Sequence, residues 1–199
     1  MTMQRHHRHV PQYSSTLPKM LTWFKKRNEL KRSATSLYGA IVAQSRLPHF
    51  YAVSGVPDTV EGRFDVVVLH MFLVLERLKD EGDGVDLIYQ LGDVFMDELD
   101  GSMREMGVGD LSVPKKMRLA AAGFLGRLEA YHAAMEQPDD AALVAALVRN
   151  VYAGSGPPAA AWLAAYARGS LAALRRQPFS KIMQGHVAFP SPSEALGHG

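Results

Sequence analysis

The chain has 199 residues, 47% of them hydrophobic, and a formal net charge of +2. This apolar content is enough for one substantial core and excludes a generally disordered chain. The chain contains no cysteine, which excludes disulfides and thiolate metal sites. Its longest dense apolar run, at residues 66–75, is about half the ~20 residues that a membrane-spanning helix needs.

Positive charge is concentrated at the start of the chain. Residues 1–32 hold eight Lys or Arg and one acid, so the rest of the chain carries a net charge of −5. We predict a basic, partly disordered arm over residues 1–28. Such an arm favours anionic partners, either acidic lipids or nucleic-acid phosphate.

Within this arm, two aromatic residues come directly before a basic run. The residues are Trp23, Phe24, Lys25, Lys26 and Arg27. This combination is typical of peripheral contact with an anionic membrane surface; the alternative is that the two aromatic side chains pack on the core. Residues 1–19 show no periodicity, and we predict that they are disordered, as an extension upstream of a start at Met20; the alternative is a transit peptide, because they lack acids and contain Arg and Ser.

Helical spacing of apolar residues continues through most of the remaining chain. It predicts helices at residues 29–45, 63–79, 85–106, 113–137, 138–151 and 159–176. Residues 49–62, which are rich in Gly and Pro, are predicted to be a loop. No stretch alternates with a period of two, so we expect no strands. The predicted fold is all-α, a single compact bundle of about six helices over residues 29–176, followed by a flexible tail at 177–199.

Charged residues cluster where the third predicted helix ends and the fourth begins. Gly107 can close the third helix and Ser112 can cap the fourth. Lys115 and Lys116 then lie in a first turn, where the helix dipole favours anions. Charges placed against this preference indicate a binding surface; the alternative is an ordinary solvated face. The clustered residues are Asp97, Asp100, Arg104, Glu105, Asp110, Lys115 and Lys116.

Two histidines could carry chemistry. His70 lies in the most apolar predicted helix, and burying it unpaired would cost about 1–3 kcal/mol. We therefore expect a core histidine hydrogen-bonded to Arg63, Asp65 or a backbone carbonyl. His132 forms a single Glu-x-x-His pair with Glu129, whereas a di-iron bundle needs two such pairs. The alternative function is a metal- or haem-binding redox helper or enzyme that uses both histidines and the aspartate stripe of the third predicted helix, which consists of Asp93, Asp97 and Asp100.

One segment of the chain carries a family resemblance. Residues 103–110, MREMGVGD, followed by Lys-Lys-Met at 115–117, resemble the signature of the ubiquinol–cytochrome c chaperone family. Earlier segments are similar to that family in the expected order. They lie at residues 37–38, 41–42, 46–51, 55–59, 62–65 and 69–70. Because several blocks occur in order over about residues 34–135, the resemblance is more specific than any single short motif.

The resemblance implies a non-catalytic assembly chaperone of respiratory complex III that binds nascent or newly inserted cytochrome b, with no enzyme activity and no cofactor. Further implied partners are a small second chaperone, as in the mitochondrial relatives, and an anionic membrane or the ribosome through the basic arm. The acidic body argues against specific nucleic-acid binding. We expect a cytoplasmic protein, peripheral at a bacterial inner membrane, with the mitochondrial matrix as the alternative. The predicted client-binding residues are Arg63, Asp65, His70, Asp97, Asp100, Arg104, Glu105, Asp110, Lys115 and Lys116.

Overall fold

The structure is a computed structural model that describes residues 17–154 and 157–193, and within these ranges the chain forms helices and no strands. The α-helices are α1 (Leu17–Ser45), α2 (Pro48–Ala52), α3 (Val60–Lys79), α4 (Val85–Glu105), α5 (Val113–Met135), α6 (Ala141–Asn150), α7 (Pro157–Arg176) and α8 (Phe179–Met183). A 3-10 turn at Gly82–Gly84 joins α3 to α4. Six of these helices have ten residues or more, which confirms the predicted all-α bundle of about six helices.

The central helix is α3, which is buried on nearly every side. Every residue from 68 to 78 is buried, and α1, α4, α5 and α7 all contact this helix. It starts after Thr59, whose side-chain oxygen accepts a hydrogen bond from the backbone N–H of Gly62 and so satisfies a free helix donor. The apolar run at 66–75 is therefore the middle of the core, as expected for a helix that is hydrophobic all round.

The first helix is longer than the sequence predicts. Apolar spacing predicts a start at residue 29, whereas α1 begins at Leu17, so part of the basic arm is helical. Lysine and arginine are good helix formers, and α1 packs along α4. Residues 1–16 of the predicted arm lie outside the described part of the chain.

A short helix occupies part of the predicted loop at 49–62. α2 begins at Pro48, whose fixed φ suits the first turn of a helix. Phe50 is fully buried, and its ring lies edge-on to Tyr166 at 5.1 Å between centroids. A single helical turn is too short to show a period in the sequence, and the burial of Phe50 stabilises it.

Residues 177–193 pack against the bundle, whereas their composition predicts a flexible tail. α8 buries Ile182 completely. The side-chain amide of Gln177 donates to the carbonyl of Ala188 at 2.6 Å and accepts from its backbone N–H at 3.0 Å. A composition rich in Pro and Gly excludes a long helix, but it does not exclude an extended segment held by hydrogen bonds to distant residues. Residues 194–199 lie outside the described ranges.

Candidate functional site

An apolar cleft with a volume of about 250 Å³ opens between α1, α2, α3 and α4. Its floor is aromatic. The ring centroid of Phe95 lies 6.3 Å from that of Tyr38 and 6.1 Å from that of Phe64. Burial raises the pKa of the Tyr38 hydroxyl. The cleft is smaller than the roughly 300–1,000 Å³ of most small-molecule sites, and it suits one or two side chains of a polypeptide.

Charged side chains surround the mouth of this cleft. Arg63 donates from Nε to the carboxylate of Asp58 at 2.6 Å. Its guanidinium lies 5.3 Å from the ring centroid of Tyr51, which is a cation–π contact. Arg46 and Glu98 also line the mouth and are exposed. The cleft therefore combines an apolar floor with Arg46, Glu98 and the ion pair of Arg63 with Asp58 at its opening.

The cleft brings together segments that are distant in the chain. Val60 and Met106 lie at its rim with 59% and 55% of their surface exposed. Seven of its fourteen lining residues come from the segments that carry the family resemblance. They are Tyr38, Val42, Arg46, Tyr51, Arg63, Phe64 and Met106. The sequence alone did not single out Phe95, because nothing in its local pattern distinguishes a cleft residue from an ordinary core residue.

The charged corner between α4 and α5 is held by Arg104. Its guanidinium donates to Asp100 at 2.7 Å and to Asp110 at 2.6 Å, so the end of α4 is tied to the loop that follows. Gly107 has φ +79°, the left-handed conformation that the sequence predicted for the helix end. The backbone N–H of Val108 accordingly donates to the carbonyl of Met103 at 3.1 Å. Three of the predicted site residues are thus joined in one rigid corner.

The other predicted residues of this corner remain exposed. Glu105, Lys115 and Lys116 are all exposed and form no ion pair with any residue that the structure describes. Ser112 directly precedes α5, as predicted, but its side chain makes no capping hydrogen bond. The structure therefore leaves the two lysines free to contact another molecule.

Asp97 belongs to a different groove. It lies with Asp93 in a groove of about 550 Å³ between α1 and α4, opposite Arg27 and Lys31 of the basic segment. Near this groove, Lys26 pairs with Asp86 of α4 at 3.2 Å. The acidic stripe of α4 therefore faces basic residues of the same chain, which reduces the repulsion among its carboxylates.

Asp65 is buried and forms an ion pair with a residue of another helix. Its carboxylate lies 2.8 Å from the guanidinium of Arg127 in α5. Burial raises the pKa of Asp65 to about 6, while the charge of Arg127 acts in the opposite direction. The same guanidinium lies 5.8 Å from the ring centroid of Phe64 on the cleft floor. Arg127 is a residue that sequence reasoning missed, because its partner is on another helix.

His70 is fully buried and both of its ring nitrogens are occupied. Nδ1 lies 2.8 Å from the carbonyl of Val66, which can only accept, so Nδ1 carries the proton. Nε2 then accepts a hydrogen bond from the hydroxyl of Tyr166 at 2.8 Å. Burial lowers the pKa of His70 to about 4. This arrangement confirms the predicted core histidine bonded to a backbone carbonyl, and it gives His70 no surface for a client.

The structure does not bring His70, His132 and the aspartate stripe together. His132 is half-exposed on α5, where its Nδ1 lies 3.0 Å from the carboxylate of Glu76. Lys79 donates to the other oxygen of Glu76 at 2.6 Å. Within residues 17–154 and 157–193, no group of three or more His, Asp or Glu is arranged to hold a metal ion.

The predicted membrane-contact residues are only partly described. Lys25, Lys26 and Arg27 are exposed on α1, whereas the side chains of Trp23 and Phe24 lie outside the described residues. Among the described residues, no helix combines the length and the apolar character needed to cross a bilayer.

Comparison with known proteins gives a consistent result. The family model described as ubiquinol-cytochrome C chaperone matches residues 52–189. The mouse ubiquinol-cytochrome c reductase complex assembly factor 1 is 27% identical over 125 residues, which cover 62% of this chain and 42% of that protein. Its counterpart from Xenopus laevis is 26% identical over 124 residues, or 62% of each chain. The chain therefore spans less than two thirds of these relatives.

A solved structure extends the similarity over most of the fold. The crystal structure of the Cbp3 homolog from Brucella abortus matches with a TM-score of 0.78 and 35% sequence identity, covering 88% of this chain and 98% of that one. The family match reaches residue 189, beyond the segments that carry the resemblance in the sequence, and so includes the packed C-terminal segment. This chain belongs to the ubiquinol-cytochrome C chaperone family.

Proposed function

We propose that this protein is a non-catalytic chaperone for the assembly of ubiquinol–cytochrome c reductase, and that it binds newly made cytochrome b in the cleft between α1, α2, α3 and α4. One observation carries the proposal: a single apolar cleft draws half of its lining from sequence segments that resemble the family, and three of these residues, Arg63, Phe64 and Met106, lie within the family match at 52–189. A shared surface of this kind is expected for a binding protein whose partner is common to the family.

The chemistry of the cleft suits a hydrophobic membrane protein as client. Aromatic rings offer large apolar contact area with few rotatable bonds. Met106 at the rim can repack around different side chains, because its thioether chain is flexible. Arg46 and Arg63 can pair with acidic groups next to an apolar client segment, and the corner held by Arg104 continues this polar edge.

The remaining partners belong to the same proposal. The basic residues of α1 favour a position at the cytoplasmic face of a bacterial inner membrane, with the mitochondrial matrix as the alternative, and they also suit contact with a translating ribosome. Lys26 is partly neutralised by Asp86, so only part of this charge faces outward. A small second chaperone, as in the mitochondrial relatives, is the further proposed partner.

The test places charges at the rim of the cleft. Val60→Glu with Met106→Glu changes two exposed rim residues, while Val53→Glu with Leu125→Glu changes two residues that are 70% and 57% exposed and lie outside the cleft. Capture of detergent-solubilised cytochrome b by the immobilised protein gives the affinity. Losing the burial of even one such side chain is worth about 1.5–3 kcal/mol, so we expect the Kd to rise at least ~10-fold for the rim variant.

The control variant should bind cytochrome b as the wild type does, and both variants should keep their helical circular dichroism and melting temperature. Equal capture by the rim variant and the wild type would contradict the cleft as the client site. Failure of the wild type itself to capture cytochrome b would contradict the proposed client.

A further inference from the structure

A leucine stands out at the turn between α4 and α5. Leu111 is 99% exposed, the largest exposed fraction among the large hydrophobic residues that the structure describes. The turn that carries it is fixed, because the backbone N–H of Ser112 donates to the carbonyl of Gly109 at 2.8 Å. Asp110 is held at the same time by Arg104 at 2.6 Å. The leucine is therefore presented to solvent by an ordered turn.

Three cations follow this leucine on the first two turns of α5. Lys115, Lys116 and Arg118 are exposed and form no ion pair with the residues of the described ranges. Lys115, Arg118 and Leu119 are spaced by three and four residues, so they share one face of the helix. Leu119 is itself 66% exposed. This face offers unpaired positive charge and apolar surface side by side.

The nearby acids do not cancel this charge. The carboxylate of Asp110 already pairs with Arg104, as does that of Asp100. Glu105 is exposed at the end of α4, so three carboxylates stand against four cations, Arg104 included, and the local net charge is +1. The tip between α4 and α5 therefore keeps a positive surplus next to Leu111.

We propose that Leu111, Lys115, Lys116, Arg118 and Leu119 form a docking surface for an anionic lipid bilayer, separate from the basic N-terminal arm. A bilayer interface provides both partners that this surface lacks: anionic headgroups for the cations and an acyl boundary for the leucines. The sequence assigned Lys115 and Lys116 to client binding; an anionic bilayer instead supplies partners for these lysines and for the exposed leucines beside them at the same time.

Docking through this surface has a consequence for the cleft. Met106 lies at the rim of the cleft and Gly107 begins the turn that carries Leu111. A bilayer bound at the turn would hold the opening of the cleft beside the membrane. Membrane docking through this surface extends the proposed function but does not depend on it, because binding to vesicles can be measured with lipid alone.

The absence of cysteine from the chain permits a direct test. Leu111→Cys is labelled with an environment-sensitive fluorophore, and Leu125→Cys, which lies further along on α5 and is 57% exposed, is the control. Vesicles of phosphatidylglycerol with phosphatidylcholine should shift the emission of the label at position 111 to the blue and leave the label at 125 unchanged. Vesicles of phosphatidylcholine alone should give a much smaller shift.

Charge reversal supplies the second measurement. Each cation near an anionic surface contributes roughly fivefold to the partition coefficient. We therefore expect the partition coefficient, measured by vesicle flotation, to fall ~100-fold or more in the triple variant Lys115→Glu, Lys116→Glu, Arg118→Glu, with no change in the melting temperature. The control reverses two exposed cations of α1, Lys25→Glu and Arg32→Glu, which form no ion pair with the described residues. The shift of the label at 111 should survive this control when the vesicle concentration is raised to restore binding.

Two outcomes would overturn the proposal. An unshifted label at 111 on vesicles that bind the protein would assign membrane contact to another surface. The surface would instead be assigned to the protein client if the emission of the label at position 111 did not change with vesicles but shifted when detergent-solubilised cytochrome b was added.

Discussion

The buried hydroxyl of Tyr166 provides a sharp test of the core that positions the cleft helices. This hydroxyl donates to Nε2 of His70 at 2.8 Å and accepts from the side-chain amide of Gln44 at 3.0 Å. It therefore connects α1, α3 and α7 at one point. Tyr166→Phe keeps the ring, which is stacked on Trp162 at 5.6 Å between centroids, and removes only the two hydrogen bonds.

The expected cost comes mainly from His70. Its Nε2 would become a buried acceptor without a donor, which costs about 1–3 kcal/mol. Protonation cannot relieve this loss at neutral pH, because burial lowers the pKa of His70 to about 4. Gln44 loses less, since its amide also donates to the carbonyl of Pro190 at 3.0 Å. We expect the free energy of unfolding to fall by ~2 kcal/mol, and Tm to fall by about 4–8 °C for a chain of this length.

Urea unfolding followed by circular dichroism measures this change. Tyr89→Phe is the matched control, because Tyr89 is 72% exposed and its hydroxyl is free to bond water. A loss below ~0.5 kcal/mol for Tyr166→Phe would refute the reasoning, since it would mean that a water molecule can replace the hydroxyl at Nε2.

The remaining predictions concern the pH dependence of stability and substitutions at two glycines. The pKa of His70 is about 4 in the folded protein and about 6.5 in the unfolded chain, so this histidine lowers the free energy of unfolding as the pH falls through that window. The pKa of Asp65 is raised to about 6 in the folded protein, so this carboxyl group raises the free energy of unfolding as the pH falls. These two effects nearly cancel between about pH 6 and about pH 4. In urea titrations, the free energy of unfolding of Asp65→Asn should therefore fall more steeply with decreasing pH than that of the wild type, by ~1.4 kcal/mol per pH unit. The same pH dependence for the variant and the wild type would contradict this prediction. Gly185→Ala should destabilise by about 1–3 kcal/mol, because φ is +87° and a Cβ would lie 2.9 Å from the backbone of Ser33. A Cβ added at Gly169, on an exposed helix face, would have no neighbouring atom within 4 Å, so Gly169→Ala should instead stabilise the protein by about 0.5–1 kcal/mol in the same assay. Equal effects of the two glycine substitutions would contradict the argument from packing.

Local patterns in the sequence predicted the parts of the fold that depend on local physics. The apolar run at 66–75 marked the central helix, because only a helix surrounded by others can be hydrophobic on every side. Gly107 marked the end of α4, because glycine readily adopts the left-handed conformation that closes a helix, and Ser112 marked the start of α5 although its side chain makes no capping hydrogen bond. The resemblance of residues 103–110 to a family came from the same stretch.

The tertiary structure decided which distant residues meet. His70 was expected to have a partner, but periodicity could not select Tyr166, 96 residues further along the chain. In the same way, nothing near Asp65 in the sequence pointed to Arg127. Residues 177–193 looked like a tail, because the hydrogen bonds of an extended segment have no period that a sequence can display. A sequence states which groups need burial or a partner, whereas the choice of partner depends on how helices pack, and that packing also created the cleft.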